Sequence, residues 1–200
     1  MSAEYAVPGP GRMYAALSKA GRAPADPGHL DGEWERTTYR SIDRSQVVSI
    51  ARAVQSACQA DLPAPARDCT VQGFEQHGFY RGLTSIDSAA AGQPESRWAL
   101  FVGIDVEPAW DEEFNDWYDT EHLPLLTGVQ GVVRSRRYVR TAGSAGCREL
   151  ARYVTVFDLT DPGAPESDNW HAGVSTPWCR RIFRVRRLMW RSVFERCGAG

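Results

Sequence analysis

Alternation of apolar and polar positions is clearest in the second half of the chain. One side of the segment Trp98–Val106 is wholly apolar, and this period of two predicts a strand. The segments Val132–Arg140, Leu150–Leu159 and Leu188–Arg196 are read as strands too. In the first segment, the predicted faces are Trp98, Leu100, Val102, Ile104 and Val106 on one side, and Ala99, Phe101, Gly103 and Asp105 on the other.

Two helices are predicted between these strands. The first begins at Asp111, which can cap it, and Pro124 predicts a bend or an end there. The second begins at Ser167 or Asp168 and runs to about Ile182, although Pro177 must bend or restart it. The resulting order is β-α-β-β-α-β, which predicts an α+β fold of the ferredoxin-like type. The first helix carries Phe114, Trp117, Tyr118 and Leu125 at helical spacing.

The first half of the chain has a weaker pattern. Strands are predicted at Met13–Leu17, Cys69–Phe74 and Phe79–Ile86, and Ser88–Ser96 is read as a linker. Residues 45–60 are predicted to be a helix, because Val47, Ile50, Ala51, Val54 and Cys58 recur at spacings of three and four. The linker divides the chain into two predicted regions, residues 1–95 and 96–200. If the first is a degenerate copy of the second, the chain is a pseudo-dimer; otherwise two chains must pair to cover the sheet, and we expect a homodimer.

Composition narrows the functional classes. The chain has 200 residues, 42% of them hydrophobic, and a net charge of −2, which argues against general binding to nucleic acid or to a membrane surface. We see no secretory signal or bilayer-spanning run and expect a cytoplasmic protein. The five cysteines form no CxxC pair and the four histidines are scattered, so neither a disulfide framework nor a metal site is expected.

His122 is the first candidate for chemistry. Phe114, Tyr118 and His122 recur every four residues and therefore share one helix face. The helix C-terminus favours imidazolium and burial opposes it, so the two effects predict titration near neutral pH. Glu121 or Asp119 can orient the ring. Spacing alone favours a structural histidine that hydrogen-bonds to the backbone.

The run from Glu113 to Pro124, followed by Gly128–Tyr138, resembles the dimeric α-β barrel superfamily, and within it the EthD-like and related proteins. Their pattern is similar to FNxWYxxEHLPxL followed by PGxxxxRRY. The later segments Tyr153–Leu159 and Ser175–Trp178 are similar too, so the resemblance covers about residues 97–195. Gln130 departs from the pattern, which has proline there, and we expect only a less rigid turn.

This resemblance implies a fold more than a reaction. It implies a small hydrophobic ligand, aromatic or derived from a polyketide, and an acid–base role for His122. Tyr118 or Asp105 is expected to assist. No cofactor is expected, although the superfamily includes heme-binding branches and cofactor-free monooxygenases.

Several further side chains are candidates for binding the ligand. Trp170 and Trp178 recur at a helical spacing that indicates an aromatic wall or, more simply, core packing. His171 is next to Trp170 in the sequence and is a further candidate. An inward arginine on the strand Val132–Arg140 can hold an enolate or a carboxylate, although surface pairing with acidic residues is the simpler use. The predicted substrate-binding residues are Trp117, Phe101, Arg137, Tyr138, Trp170, His171, Trp178 and, if the first half covers the cavity, His77.

Three functional hypotheses follow from the sequence. The first is a cofactor-independent acid–base enzyme, a cyclase, isomerase or lyase, because each of these reactions removes a proton beside a carbonyl. The second is a monooxygenase of the same superfamily, cofactor-free or heme-dependent. The third is a non-catalytic protein that binds a small ligand.

Overall fold

The computed structural model describes residues 11–19, 34–53, 76–89, 96–142, 148–149 and 151–197. The first half contributes strands β1 (Arg12–Lys19), β2 (Trp34–Ser41), β3 (Gln46–Ala53) and β4 (Gln76–Asp87). The strands of the second half are β5 (Trp98–Val106), β6 (Val132–Ala142), β7 (Arg148–Glu149), β8 (Tyr153–Leu159) and β9 (Arg186–Arg196). The helices are α1 (Asp111–Trp117), α2 (Leu123–Thr127), α3 (Asp168–Gly173) and α4 (Pro177–Phe183).

Eight strands close into a barrel. Their order is β1-β3-β2-β9-β5-β8-β6-β4, and β4 pairs again with β1. All the pairings around the barrel are antiparallel, whereas the short β7 joins β4 in parallel. Closure satisfies the backbone groups that an open sheet leaves at its edges.

The order β-α-β-β-α-β predicted for the second half is confirmed, with β7 as an addition. Its barrel strands lie in the order β9-β5-β8-β6, and the strands of the first half lie in the matching order β4-β1-β3-β2. The descent of the first half from a copy, and the boundary near residue 95, stay predictions. Because β1–β4 cover the remaining circumference, the barrel closes without a second copy. A homodimer therefore also stays a prediction.

The second-half sheet is apolar on both faces. The predicted face that contains Leu100, Val102 and Ile104 packs against the helices. Phe114 and Trp117 of α1 belong to the same core. The opposite face lies inside the barrel. The apolar residues on this inner face pack against Met13, Tyr39 and Ile50 of the first half. They include Ala99, Phe101, Tyr138, Val154, Val156 and Phe194.

The helix predicted for residues 45–60 is wrong over Gln46–Ala53, which form β3. Val47, Val48, Ile50 and Ala51 are all buried, so the strand is covered on both faces and loses the alternation that reveals a half-exposed strand. Before this strand, Asp43 accepts hydrogen bonds from Ser45 in the turn between β2 and β3. The rest of the predicted helix, residues 54–60, lies outside the described residues.

Other predicted elements agree with the structure. Met13–Leu17 and Phe79–Ile86 are strands, and the second predicted helix is split at Pro177 into α3 and α4. The predicted strand at 69–74 lies outside the described residues, as does most of the predicted linker. Among the described helices, none has the length and apolar character needed to cross a bilayer.

We expect Gly103→Ala to destabilise the barrel. A Cβ at position 103 would lie 2.2 Å from Nε1 of Trp190, so the indole must move within a packed interior. Overpacking of this kind costs about 1–3 kcal/mol. Chemical unfolding monitored by far-UV circular dichroism measures the change. Gly128→Ala is the matched control, since the nearest atom to its added Cβ is 3.5 Å away, and equal losses in both variants would contradict the packing argument.

Candidate functional site

The position of His122, the predicted acid–base residue, depends on a change of helical geometry after α1. Asp111 is the first residue of α1 rather than its cap, which is Trp110. After α1, residues 118–122 form a π-helical turn in which the N–H of Leu123 donates to the carbonyl of Tyr118, five residues back. Proline has no N–H and crowds the preceding helical turn, so the wider turn accommodates Pro124 and the helix continues as α2. The bend predicted at this proline is therefore a π turn.

A cavity of about 280 Å³ lies between the helices and the outward face of the sheet. Its volume is close to the lower end of ligand pockets, about 300–1,000 Å³. The wall is mainly apolar, as expected for a site that binds a small hydrophobic molecule. The apolar wall includes Val102, Ile104, Leu126, Phe157, Trp170 and Phe183.

His122 lines this cavity and is buried. Its ring stacks on Trp117 with the centroids 4.2 Å apart, and it meets Tyr118 edge-on at 4.9 Å. Burial, with the positive charges of Arg186 and Arg137 as further causes, lowers the pKa of His122 to about 3. The expectation of titration near neutral pH is therefore wrong, because desolvation outweighs the helix-end effect. His122 is a neutral imidazole at physiological pH.

Neither of the predicted orienting carboxylates reaches His122. Glu121 accepts hydrogen bonds from Nε1 of Trp117 and from the hydroxyl of Thr176. Asp119 accepts from Thr84 at 2.7 Å and from Arg137 at 3.0 Å. Nδ1 of His122 is buried and has no hydrogen-bond partner among the described residues.

Tyr118 shares the cavity with His122. The hydroxyl of Thr155 donates to the Tyr118 oxygen at 2.9 Å, and burial raises the pKa of Tyr118. The phenol is therefore protonated at neutral pH and is available as a hydrogen-bond donor. Trp170 and His171 of α3 also line the cavity, as predicted, and His171 is exposed.

Arg137 is fully buried beneath the π turn instead of lining the cavity. Its guanidinium donates to Asp119 and to Asn115, and lies over the ring of Tyr118 at 4.5 Å. A planar cation held by two oxygen acceptors and an aromatic face fixes the turn on the sheet. Arg137 therefore positions the helix, and its predicted contact with substrate is not seen.

The structure does not bring all the predicted residues to this cavity. Phe101 and Tyr138 lie in the barrel interior, on the opposite side of the sheet. Asp105, predicted to assist His122, accepts the backbone N–H of Arg152 at 2.6 Å. Trp117 and Trp178 pack beside the cavity without lining it. The backbone of His77 lies in β4, but its side chain is outside the described part of the chain.

Arg186 is the cavity residue that sequence reasoning missed. It begins β9, lines the cavity and lies over the ring of Phe183 at 3.8 Å. In the sequence it is one of seven arginines between residues 180 and 196, and the local pattern does not single it out. Another of the seven, Arg181, pairs with Glu113 at 2.8 Å. At the start of β9, Arg186 pairs in register with Val106 of β5. This pairing distinguishes Arg186 from the neighbouring arginines.

Two histidines line the cavity and are the candidate ligands for a heme iron. His122 is buried with its ring stacked on Trp117, and His171 is exposed at the wall. The cavity volume of about 280 Å³ favours a ligand smaller than a porphyrin. No cluster of three or more metal-ligating side chains occurs among the residues that the structure describes.

Comparison with known proteins identifies the fold. No protein-family model and no curated protein sequence matches the chain. Among solved structures, an anthrone oxidase-like protein matches with a TM-score of 0.59 and 12% identity, over 94% of this chain and 92% of that one. A proposed monooxygenase from Fusobacterium nucleatum matches with a TM-score of 0.51 and 9% identity, over 92% and 91% of the two chains.

A third solved structure shows how widely functions differ on this fold. A major regulator of staphylococcal pathogenesis matches with a TM-score of 0.51 and 10% identity, over 92% of this chain and 98% of that one. At these identities the matches establish the fold alone. They confirm the ferredoxin-like α-β barrel implied by the sequence resemblance, whereas the names range from oxidase-like protein to regulator.

We expect Asp119→Ala to destabilise the protein by about 3 kcal/mol. The substitution leaves the guanidinium of Arg137 buried without its carboxylate, and an uncompensated buried charge carries a cost of this order. Urea unfolding measures the loss. Asp116→Ala on the same helical segment is the control, because Asp116 is exposed and should change stability by less than about 0.5 kcal/mol. A similar small loss for both variants would mean that the Arg137 pair contributes little.

The lowered pKa of His122 predicts a pH dependence of stability. Between pH 6.5 and about 3 the unfolded state binds the imidazole proton and the folded state does not. This contribution is therefore fully present above pH 6.5 and is lost as pH falls, by up to about 1.4 kcal/mol per pH unit. Unfolding of the wild type and of His122→Gln at pH 7 and pH 5 isolates it. Equal pH slopes in the two proteins would contradict the neutral buried imidazole.

Proposed function

We propose that this protein is a cofactor-independent enzyme that moves a proton beside a carbonyl of an aromatic or polyketide-like molecule. The observation that carries the proposal is a neutral imidazole, His122, in the wall of an apolar cavity that Tyr118 also lines. A neutral imidazole can accept a proton, a protonated phenol can donate a hydrogen bond to the carbonyl oxygen, and an apolar cavity excludes water.

The reaction step assigns one role to each group. His122 takes the proton from the carbon next to the carbonyl, and the electrons of the C–H bond become the enolate double bond. Tyr118 donates a hydrogen bond to the carbonyl oxygen as negative charge develops there. Return of the proton at another atom completes an isomerisation, and attack of the enolate on a second carbonyl completes a cyclisation.

The low pKa of His122 constrains this chemistry. Imidazole with a pKa of about 3 is entirely in its basic form at neutral pH but is a weak base. Arg186 and Arg137 contribute to that low value. The enolate offsets their positive field, so the basicity of His122 increases as the proton moves towards it. The cavity is therefore suited to carbon acids whose anion is delocalised over an aromatic system.

Anthrone is a suitable probe, since its acidic CH₂ lies opposite the ketone in the central ring and is conjugated with it through the two aromatic rings. Removal of this proton places negative charge on the ketone oxygen, as in the proposed step. Under argon, we expect the protein to accelerate deuterium exchange at this carbon, measured by NMR. His122→Gln should lose about 10²–10⁴ of that acceleration, the usual contribution of general acid–base catalysis. Tyr118→Phe should lose less, because it removes a hydrogen bond and leaves the base in place.

Circular dichroism and thermal unfolding must first show that both variants fold. Exchange that is unchanged in His122→Gln would remove His122 from the mechanism. Exchange under argon combined with oxygen uptake in air would make the enolate an intermediate in oxygenation, which is the monooxygenase alternative. Saturable binding of anthrone without accelerated exchange would support a ligand-binding protein instead.

A further inference from the structure

The cavity contains one positive charge that is not balanced by an acidic side chain. Arg186 lines it, and the structure gives this guanidinium no acidic partner among the described residues. Nε of Arg186 is buried and without a hydrogen-bond partner there. Arg191, the other arginine of the wall, is paired with Glu166 at 3.3 Å and donates to the carbonyl of Pro165. The free cation of this site is therefore Arg186.

A half-buried guanidinium without a carboxylate is an unusual arrangement. Burial lowers the pKa of Arg186, since removal from water disfavours the charged form. Among the described residues, the guanidinium lies over the face of Phe183. Buried charges are normally paired, and a guanidinium presents its donors in a planar fork that suits anionic oxygen. An oxyanion from a bound molecule would supply the missing partner.

We propose that Arg186 is the oxyanion-binding residue of the cavity, and that its ligands are aromatic phenols or enols that it holds as phenolates or enolates. The aromatic body of such a ligand would lie against Phe157, Trp170 and Phe183, and its acidic oxygen against Arg186. On ionisation the O–H electron pair remains on oxygen, and the proton leaves to water. This inference deepens the proposed function and rests on it for the cavity being the substrate site.

The other titratable groups around Arg186 do not provide a second unpaired positive charge for the anion among the described residues. Burial keeps His122 neutral, raises the pKa of Tyr118, and raises the pKa of the Cys179 thiol of α4 to about 12. Glu121, on the π turn, is hydrogen-bonded to Trp117 and Thr176. His171 of α3 is exposed at the wall, and the remaining charges there are the Arg191–Glu166 pair. Arg137 is buried with Asp119.

The test uses 2-naphthol, a phenol whose ionised form has its own absorption band. We expect the wild type to lower the pKa of bound 2-naphthol by at least one unit, which corresponds to a tenfold preference for the anion. The affinity for 2-naphthol should therefore rise with pH between the bound and the free pKa, whereas the affinity for 2-methoxynaphthalene, which cannot ionise, should stay constant over the same range. Absorbance titrations across pH measure the shift, and quenching of tryptophan fluorescence measures both affinities.

Arg186→Gln should abolish the shift in the pKa of the bound naphthol. Arg187→Gln is the matched control: the next residue on β9 is exposed and pairs in register with Asp105, so its charge is removed without altering the cavity. The control should keep the wild-type shift. Loss of the shift in both variants would indicate a general basic surface and would overturn the proposal, as would its retention in Arg186→Gln.

If Arg186→Gln does not fold, the two naphthalene probes still decide with the wild type alone. Affinities for 2-naphthol and 2-methoxynaphthalene that both stay constant with pH, with no pKa shift, would overturn the oxyanion site. Ionisation of 2-naphthol involves no carbon acid, so it does not depend on the anthrone reaction. Anion preference without anthrone exchange would refute the proposed catalysis and leave this site standing, and exchange without anion preference would do the opposite.

Discussion

The buried guanidinium of Arg137 is the interaction on which the candidate site depends. It joins β6 to the helical segment through Asp119 and Asn115, and it lies against the ring of Tyr118. This contact fixes the π turn over the sheet and thereby places both Tyr118 and His122 at the cavity. Its charge also contributes to the low pKa of His122. One side chain thus fixes the position of the neighbouring groups and adds to the effect of burial on the pKa of His122.

The inner and outer faces of the barrel wall have different surroundings. Inside, Phe101 stacks with Trp190 and meets Tyr39 and Phe194 edge-on, which fills the interior with side chains. Outside, the helices of the second half do not fill the space above the sheet, and the cavity is what remains. A residue of β5 therefore packs inside the barrel or faces the helices and the cavity according to its parity along the strand, which explains why Phe101 and Val102 have different surroundings.

Two cations and a neutral imidazole give the cavity a distinct electrostatic character. Arg137 is satisfied by protein oxygens, whereas Arg186 is not paired with a carboxylate among the described residues. The difference separates a structural arginine from a candidate for ligand binding. Both arginines act on His122 through the same low-dielectric surroundings, so an anion bound in the cavity would change the basicity of the imidazole without touching it.

Local periodicity predicted the β-α-β-β-α-β order of the second half and the two faces of Trp98–Val106, because each pattern depends on neighbouring residues. Resemblance to a known superfamily, rather than spacing, made His122 the leading candidate, and the structure brings it together with Tyr118, Trp170 and His171 at one cavity. Tertiary structure alone decided that residues 46–53 form a strand, because burial on both faces removes the pattern, and that burial lowers the pKa of His122. It also separated Arg137 from Arg186, since the pairing of a charge depends on partners distant in the chain.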